Sequence, residues 1–162
     1  MKKILVIASV LALFAVGAVS QKKDRRDARI AENWIAAWNS HDVEKVIPMF
    51  TNEILYEDVT FGAVNHGPAE LRKFAAFFFE AVPDMKFELV NSTLGRRHGI
   101  IEWVFSGTDK GIYKTGKRFT VRGVSTVDFD GGRISRNLDY YDSATIMRQV
   151  GLLPCAETPT KK

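Results

Sequence analysis

From Met85 onward the chain is a series of apolar-rich runs broken by glycine turns, and few folds accept that pattern. The runs are Met85 to Val90, Gly99 to Ser106, Arg118 to Phe129 and Arg133 to Asp142, with turn signals at Thr115-Gly116-Lys117 and Asp130-Gly131-Gly132. Strands joined by tight turns pair antiparallel. The half before Met85 has a different period. Ile30, Trp34 and Trp38 form one helical stripe that ends near Asn39-Ser40-His41. A second helix carries Val43, Val46, Ile47 and Phe50, capped by Ser40 or Asp42, and Pro48 bends or shortens it. Gly67-Pro68 opens a third helix, with Leu71, Phe74 and Phe78 as its stripe and Pro83-Asp84 at its end. Glu53 to Val59 reads as a short strand, Phe61 to Gly67 as a loop, and Ser143 to Val150 as a short helix. Helices segregated from such a sheet make an α+β fold. The expected form is a cone: a curled antiparallel sheet with three N-terminal-side helices packed in its concave face. A hollow of that kind is where ligands sit.

A length of 162 residues fits one domain, and 46% apolar content supplies a core that a disordered chain lacks. The basic start Met1-Lys2-Lys3, the apolar run Ile4 to Ala18 and the small residues Gly17, Ala18 and Ser20 have the form of a secretory signal. The run is shorter than the roughly 20 residues a membrane span requires. The expected layout is a signal over 1–20, a linker over 21–28, one domain over 29–154 and a flexible tail over 155–162. Such a protein is exported, to the periplasm or outside the cell, without stable membrane insertion once the signal is cleaved. The formal charge of +4 falls to +2 with Lys2 and Lys3 removed, too little to argue for nucleic acid. Cys155 is the only cysteine, so no internal disulfide forms. His41, His66 and His98 have no metal-ligand spacing, and neither a metal nor an organic cofactor is implied.

The last strand is the unusual one. Ser135, Asn137, Asp139 and Tyr141 share one face, and Ile134, Arg136, Leu138, Tyr140 and Asp142 the other. Neither is plainly a core face. Tyr56 and Asp58 share a face of the early strand. If both polar faces look into the hollow, a phenol, two carboxylates and an amide converge among aromatic residues. Burial there raises a carboxyl pKa, and a carboxylate beside a hydroxyl donor is the minimum set for moving a proton next to a carbonyl. Asp139 as an exposed residue paired with Arg133 or Arg136 is the other reading, and a register error of one residue would exchange Asp139 for Asp142. Trp103 and Phe105 share an apolar face as core or wall, Trp34 and Trp38 likewise, and His66 lies in a glycine-flanked loop.

Trp34, Trp38-Asn39-Ser40-His41-Asp42, Leu55-Tyr56-Glu57-Asp58, Gly67 with its helix, Thr115-Gly116-Lys117 and Gly132-Arg133-Ile134 running into Asp139-Tyr140-Tyr141-Asp142 together resemble the SnoaL-like branch of the nuclear transport factor 2-like superfamily. The resemblance covers nearly all of the chain after the signal. It implies the cone-shaped α+β fold, a fold that often forms homodimers. Lys114 to Asp142 is also similar to limonene epoxide hydrolase, where the aspartate in the place of Asp139 is catalytic and the residues in the places of Tyr56 and Asp58 position water. Trp103 and Phe105 stand where that enzyme has an arginine and a second aspartate, which argues against epoxide opening. The resemblance to SnoaL-like polyketide cyclases and ketosteroid isomerases implies acid–base work by Asp139, with Asp142 in reserve. The expectation is a cofactor-free isomerase or cyclase acting on a small apolar carbonyl compound. Its catalytic residues would be Asp139, Tyr56 and Asp58, and its binding residues Trp34, Trp38, His66, Phe78, Trp103, Phe105, Asn137 and Tyr141. A binding protein without turnover, or a homodimeric interaction domain, are the alternatives.

Overall fold

Helix α1 spans 29–39 in the computed structural model, which describes residues 29–154. Its Ala31, Trp34, Ala37 and Trp38 are buried, the stripe that helical periodicity predicts. The helix closes on a side-chain clamp. The Asn39 amide donates to the Phe87 carbonyl at 2.8 Å and accepts the Phe87 N–H at 2.7 Å, so one side chain satisfies a strand residue as a neighbouring strand would. Asp42 caps α2 (Val43–Val46) by accepting the Glu44 N–H. Pro48 ends α2 early, and Ile47–Met49 winds as a tighter 3-10 turn, because proline lacks an N–H and crowds the preceding turn. Then follow β1 (Phe50–Asp58), β2 (Ala63–His66), α3 (Gly67–Ala81), β3 (Lys86–Leu94), β4 (His98–Thr108), β5 (Arg118–Asp130), β6 (Arg133–Tyr141) and α4 (Ser143–Gln149). The segments expected to be signal, linker and tail, with Cys155, lie outside the described residues.

The strands form one curled sheet in the order β2-β1-β6-β5-β4-β3, and with the helices this is the expected α+β cone. From β3 to β6 every neighbouring pair is antiparallel. β1, however, runs parallel to β6, so the sheet is mixed and not wholly antiparallel. Turn signals dictate direction only between strands that a turn connects; β1 and β6 are separated by most of the fold. A second correction concerns the segment read as a loop. Ala63–His66 is a strand that folds back onto β1 after a turn in which Gly62 takes a φ of 67°. Four residues are too few for their alternation to stand out.

The third correction decides the site. In the β5–β6 ladder Asp128 pairs with Arg136 and Phe129 with Ile134, which leaves Ser135 as an extra residue. Such a bulge shifts the alternation by one position. Ile134 therefore joins the buried face together with Asn137 and Asp139, where simple alternation separates it from them. Asp142 is not the end of the strand. It caps α4, its carboxylate accepting from Ala144 N–H at 2.9 Å and Thr145 Oγ1 at 2.6 Å.

Candidate functional site

Register brings the polar residues together. Parallel pairing sets Tyr56 beside Asn137 and Asp58 beside Asp139, and antiparallel pairing sets Ser125 opposite Asp139 and Gly123 opposite Tyr141. Two tyrosine–aspartate pairs then cross between the strands. Tyr56 on β1 donates its hydroxyl to Asp139 Oδ2 on β6. Tyr141 on β6 donates to Asp58 Oδ2 on β1 at 2.8 Å, and Asp58 Oδ1 accepts the Phe61 N–H at 3.0 Å. Asp139 and Asp58 are only 7% and 3% exposed.

Asp139 holds two further donors on Oδ1: Ser125 Oγ at 2.6 Å and Asn137 Nδ2 at 2.7 Å. The direction of the serine bond is set from outside. Trp103 Nε1 can only donate, and it reaches Ser125 Oγ at 2.9 Å, so the serine proton points to Asp139. Three donors thus hold a carboxylate that offers about four acceptor positions. Opposing effects fix its affinity for a proton. Burial raises the Asp139 pKa from 3.8 to about 6; the hydrogen bonds from Ser125, Tyr56 and Asn137 lower it in part, and the charge of Asp58 raises it. Burial also raises Asp58, against the bonds from Phe61, Tyr141 and Thr60. Burial and the neighbouring carboxylates push both phenols, Tyr56 and Tyr141, well above their ordinary value, so each stays a hydrogen-bond donor.

The pairs face a chamber of about 30 Å³ whose walls include Trp38, Phe87, Trp103 and Phe105 besides Tyr56, Asp58, Asp139 and Tyr141. That is room for roughly one or two heavy atoms, the size of a water or a carbonyl oxygen. A second hollow of about 390 Å³ lies next to it, lined by Phe61, Ala63, Phe77, Ile112 and Tyr113 and sharing Phe74 and Phe78 with the chamber. The shared rings are 4.7 Å apart at their centroids. Its lining carries no charge.

Three expected wall residues do not line either space. Trp34 is fully buried in the core, edge-on to Phe87 at 5.3 Å. His66 is exposed on the edge strand β2, where its backbone N–H is taken by Glu70 at the start of α3. Asn137 is fully buried and reaches the chamber only through Asp139. Phe78, Trp38, Trp103, Phe105 and Tyr141 do line the chamber. Sequence reasoning passed over Ser125, Met85, Phe74 and Phe87. Ser125 was hidden because its pairing with Asp139 depends on the bulge at Ser135; without it the Gly131-Gly132 turn would set Val124 there. Among the described residues no group of three His, Cys, Asp or Glu is placed to hold a metal ion, and no helix is long and apolar enough to cross a membrane.

This geometry sits on a known scaffold. A Catenulispora acidiphila protein of ketosteroid isomerase-like fold, solved with trimethylamine, superposes with a TM-score of 0.71 at 23% identity, over 76% of this chain and 93% of that one. TsrD from Streptomyces laurentii superposes with a TM-score of 0.70 at 22% identity, over 80% and 97%. In sequence, the cyclase aurE of Calcarisporium arbuscula is 31% identical over 122 residues, which are 75% of this chain and 90% of that protein. Residues 31–137 match the model of the SnoaL-like domain, and the chain belongs to that family.

Proposed function

We propose that the protein is a cofactor-free acid–base enzyme of the isomerase or cyclase type, acting on a small, neutral, apolar carbonyl compound. The single observation that carries this reading is Asp139: a buried carboxylate, oriented by three donors, on the wall of a chamber that opens beside an uncharged aromatic hollow. A base raised to about 6 is ionised at neutral pH and still holds a proton well, the compromise that general-base catalysis requires. In the proposed reaction Asp139 takes a proton from the carbon next to the carbonyl. The C–H pair moves into an enolate, and the Asp139 acid then returns the proton to another atom. Attack of the enolate on a second carbonyl gives a cyclase; reprotonation at another carbon gives an isomerase. The two phenols keep the carboxylates oriented through their hydroxyl bonds, and the developing charge calls for a further hydrogen-bond donor on the chamber wall. Membership beside the cyclase aurE supports this class of chemistry.

The test is proton exchange in D₂O, followed by NMR on neutral benzo-fused ketones beginning with β-tetralone. The wild-type protein is expected to accelerate loss of the α-proton signal over buffer. Saturable binding without any exchange across the panel would instead show a binding protein.

The outer face of the sheet supports a homodimer. Val90, Ile100 and Tyr140 are exposed there beside Glu102 and Arg122. A patch holding both an acid and a base can pair with its own copy across a two-fold axis. Sedimentation at micromolar concentration is expected to give a dimer that Ile100→Asp splits; a wild-type monomer would contradict it.

A further inference from the structure

The chamber wall carries few hydrogen-bond donors, and nearly all are committed. The Tyr56 hydroxyl is bonded to Asp139, the Tyr141 hydroxyl to Asp58, and Trp103 Nε1 to Ser125. The remaining wall residues besides the two aspartates are phenylalanines, a methionine and Trp38. Trp38 is 2% exposed, and its Nε1–H has no acceptor among the described residues. A buried indole N–H ordinarily finds a partner, since leaving one unmade costs about 1–3 kcal/mol. Trp34 also has an unpartnered Nε1, but it lies in the core away from both spaces. Among the described residues only Trp38 combines an unused donor with a place on the chamber wall, where its ring lies 5.9 Å from that of Tyr56 and its nitrogen is closed to bulk solvent.

We infer that Trp38 Nε1–H is the binding donor for the oxygen of the ligand, and that the ligand is a neutral ketone on a flat apolar body. The chamber has space for the carbonyl group and not for a ring, whereas the adjoining hollow has space for a ring and offers it only uncharged walls. The carbonyl oxygen enters between Trp38 and the Tyr56–Asp139 pair while the body rests on Phe74 and Phe78. This rests on the proton-transfer reading above and adds to it the group that receives the negative charge. As Asp139 removes the proton, the charge on the carbonyl oxygen grows and the Trp38 bond strengthens, which is the condition for a donor to speed the step. It also explains why phenols fully engaged by carboxylates need not be released for the oxygen to be held.

The experiment uses the full chain with nitrogen-labelled tryptophan, whose 3 indole N–H signals report separately. β-Tetralone is titrated in, and so is tetralin, its counterpart without the carbonyl. The ketone is expected to move the Trp38 signal downfield and tetralin to leave it in place. Trp38→Phe keeps a ring and removes the donor. It is expected to cancel the roughly 3- to 10-fold affinity advantage of ketone over hydrocarbon and to slow α-proton exchange roughly 10²-fold. If the ketone binds and exchanges as fast in Trp38→Phe, or if tetralin moves the signal equally, the role of Trp38 is overturned while that of Asp139 stands. An upfield Trp38 signal indifferent to the ketone, the mark of an N–H lying on an aromatic face, overturns it in the wild-type protein without any variant. If no ketone of the panel binds or exchanges, the proton-transfer reading itself falls.

Discussion

Asp139→Asn is expected to slow α-proton exchange on the order of 10³-fold while leaving tetralin binding within a factor of about two. The amide has the same shape and its one oxygen can still accept Ser125 and Asn137 in the place of Oδ1, leaving Tyr56 opposite the NH2 group, but it takes no proton at neutral pH. The effect has a pH signature. Asp139 is a base only when ionised, so the wild-type rate should rise through about pH 6 and then level, and the residual rate of Asp139→Asn should not. Stability should move the other way. An aspartate raised from 3.8 to about 6 by folding binds more proton in the native than in the unfolded state between those values. Its contribution is therefore fully present at low pH and is lost as pH rises through about 6, a change of about 3 kcal/mol. Urea unfolding of both proteins across this window should show the wild type losing stability relative to Asp139→Asn. A variant that exchanges protons within threefold of wild type would leave Asp139 as a structural residue.

The second large effect is expected at Gly123, a residue with no polar side chain to offer. A Cβ at this position would sit within 3.0 Å of three ring atoms of Trp103. The indole cannot step aside cheaply: it is edge-on to Phe87 at 5.2 Å, lies 6.0 Å from Tyr141, and is tied to Ser125. Gly123→Ala therefore adds overpacking of about 1–3 kcal/mol to the loss of the Trp103–Ser125 bond. With its orienting donor gone, the Ser125 hydroxyl is free to turn, and Asp139 loses a hydrogen bond that lowers its pKa. A stability loss of about 3 kcal/mol and a pH–rate curve displaced upward are the expected results, read by urea unfolding and the exchange assay. Ser125→Ala serves as the milder variant: it leaves the packing intact and should displace the same curve in the same direction. Gly123→Ala with wild-type stability and an unmoved Trp103 indole signal would show that the ring is not confined.

The comparison of residues with structure separates what is local from what is not. The α1 stripe of Trp34 and Trp38, the Gly67-Pro68 start of α3 and the glycine turns between the last strands were legible, because each depends on residues within a few positions of one another. The strand direction of β1 was not, since its pairing with β6 spans most of the chain. Asp139 was legible as an inward carboxylate only as one of two registers. Asp142 resolves the choice through its neighbours, Ala144 and Thr145, which it caps. Ser125 and Gly123 were invisible for a common reason. Their meaning comes from the residues across the ladder, Asp139 and Trp103, and the bulge at Ser135 sets the first of those pairings. His66 misled because a glycine-flanked loop suggests a functional turn, whereas it is the exposed end of an edge strand.

The central claim is that a single carboxyl group, buried yet held for ionisation, lies ready in the chamber. Carbon NMR titration of the Asp139 γ-carboxyl, assigned by its absence in Asp139→Asn, tests this without any substrate. A midpoint near 6 is expected. A midpoint at the ordinary aspartate value of roughly 3.9 would contradict the account, since Asp139 would then be no stronger a base than a carboxylate in water.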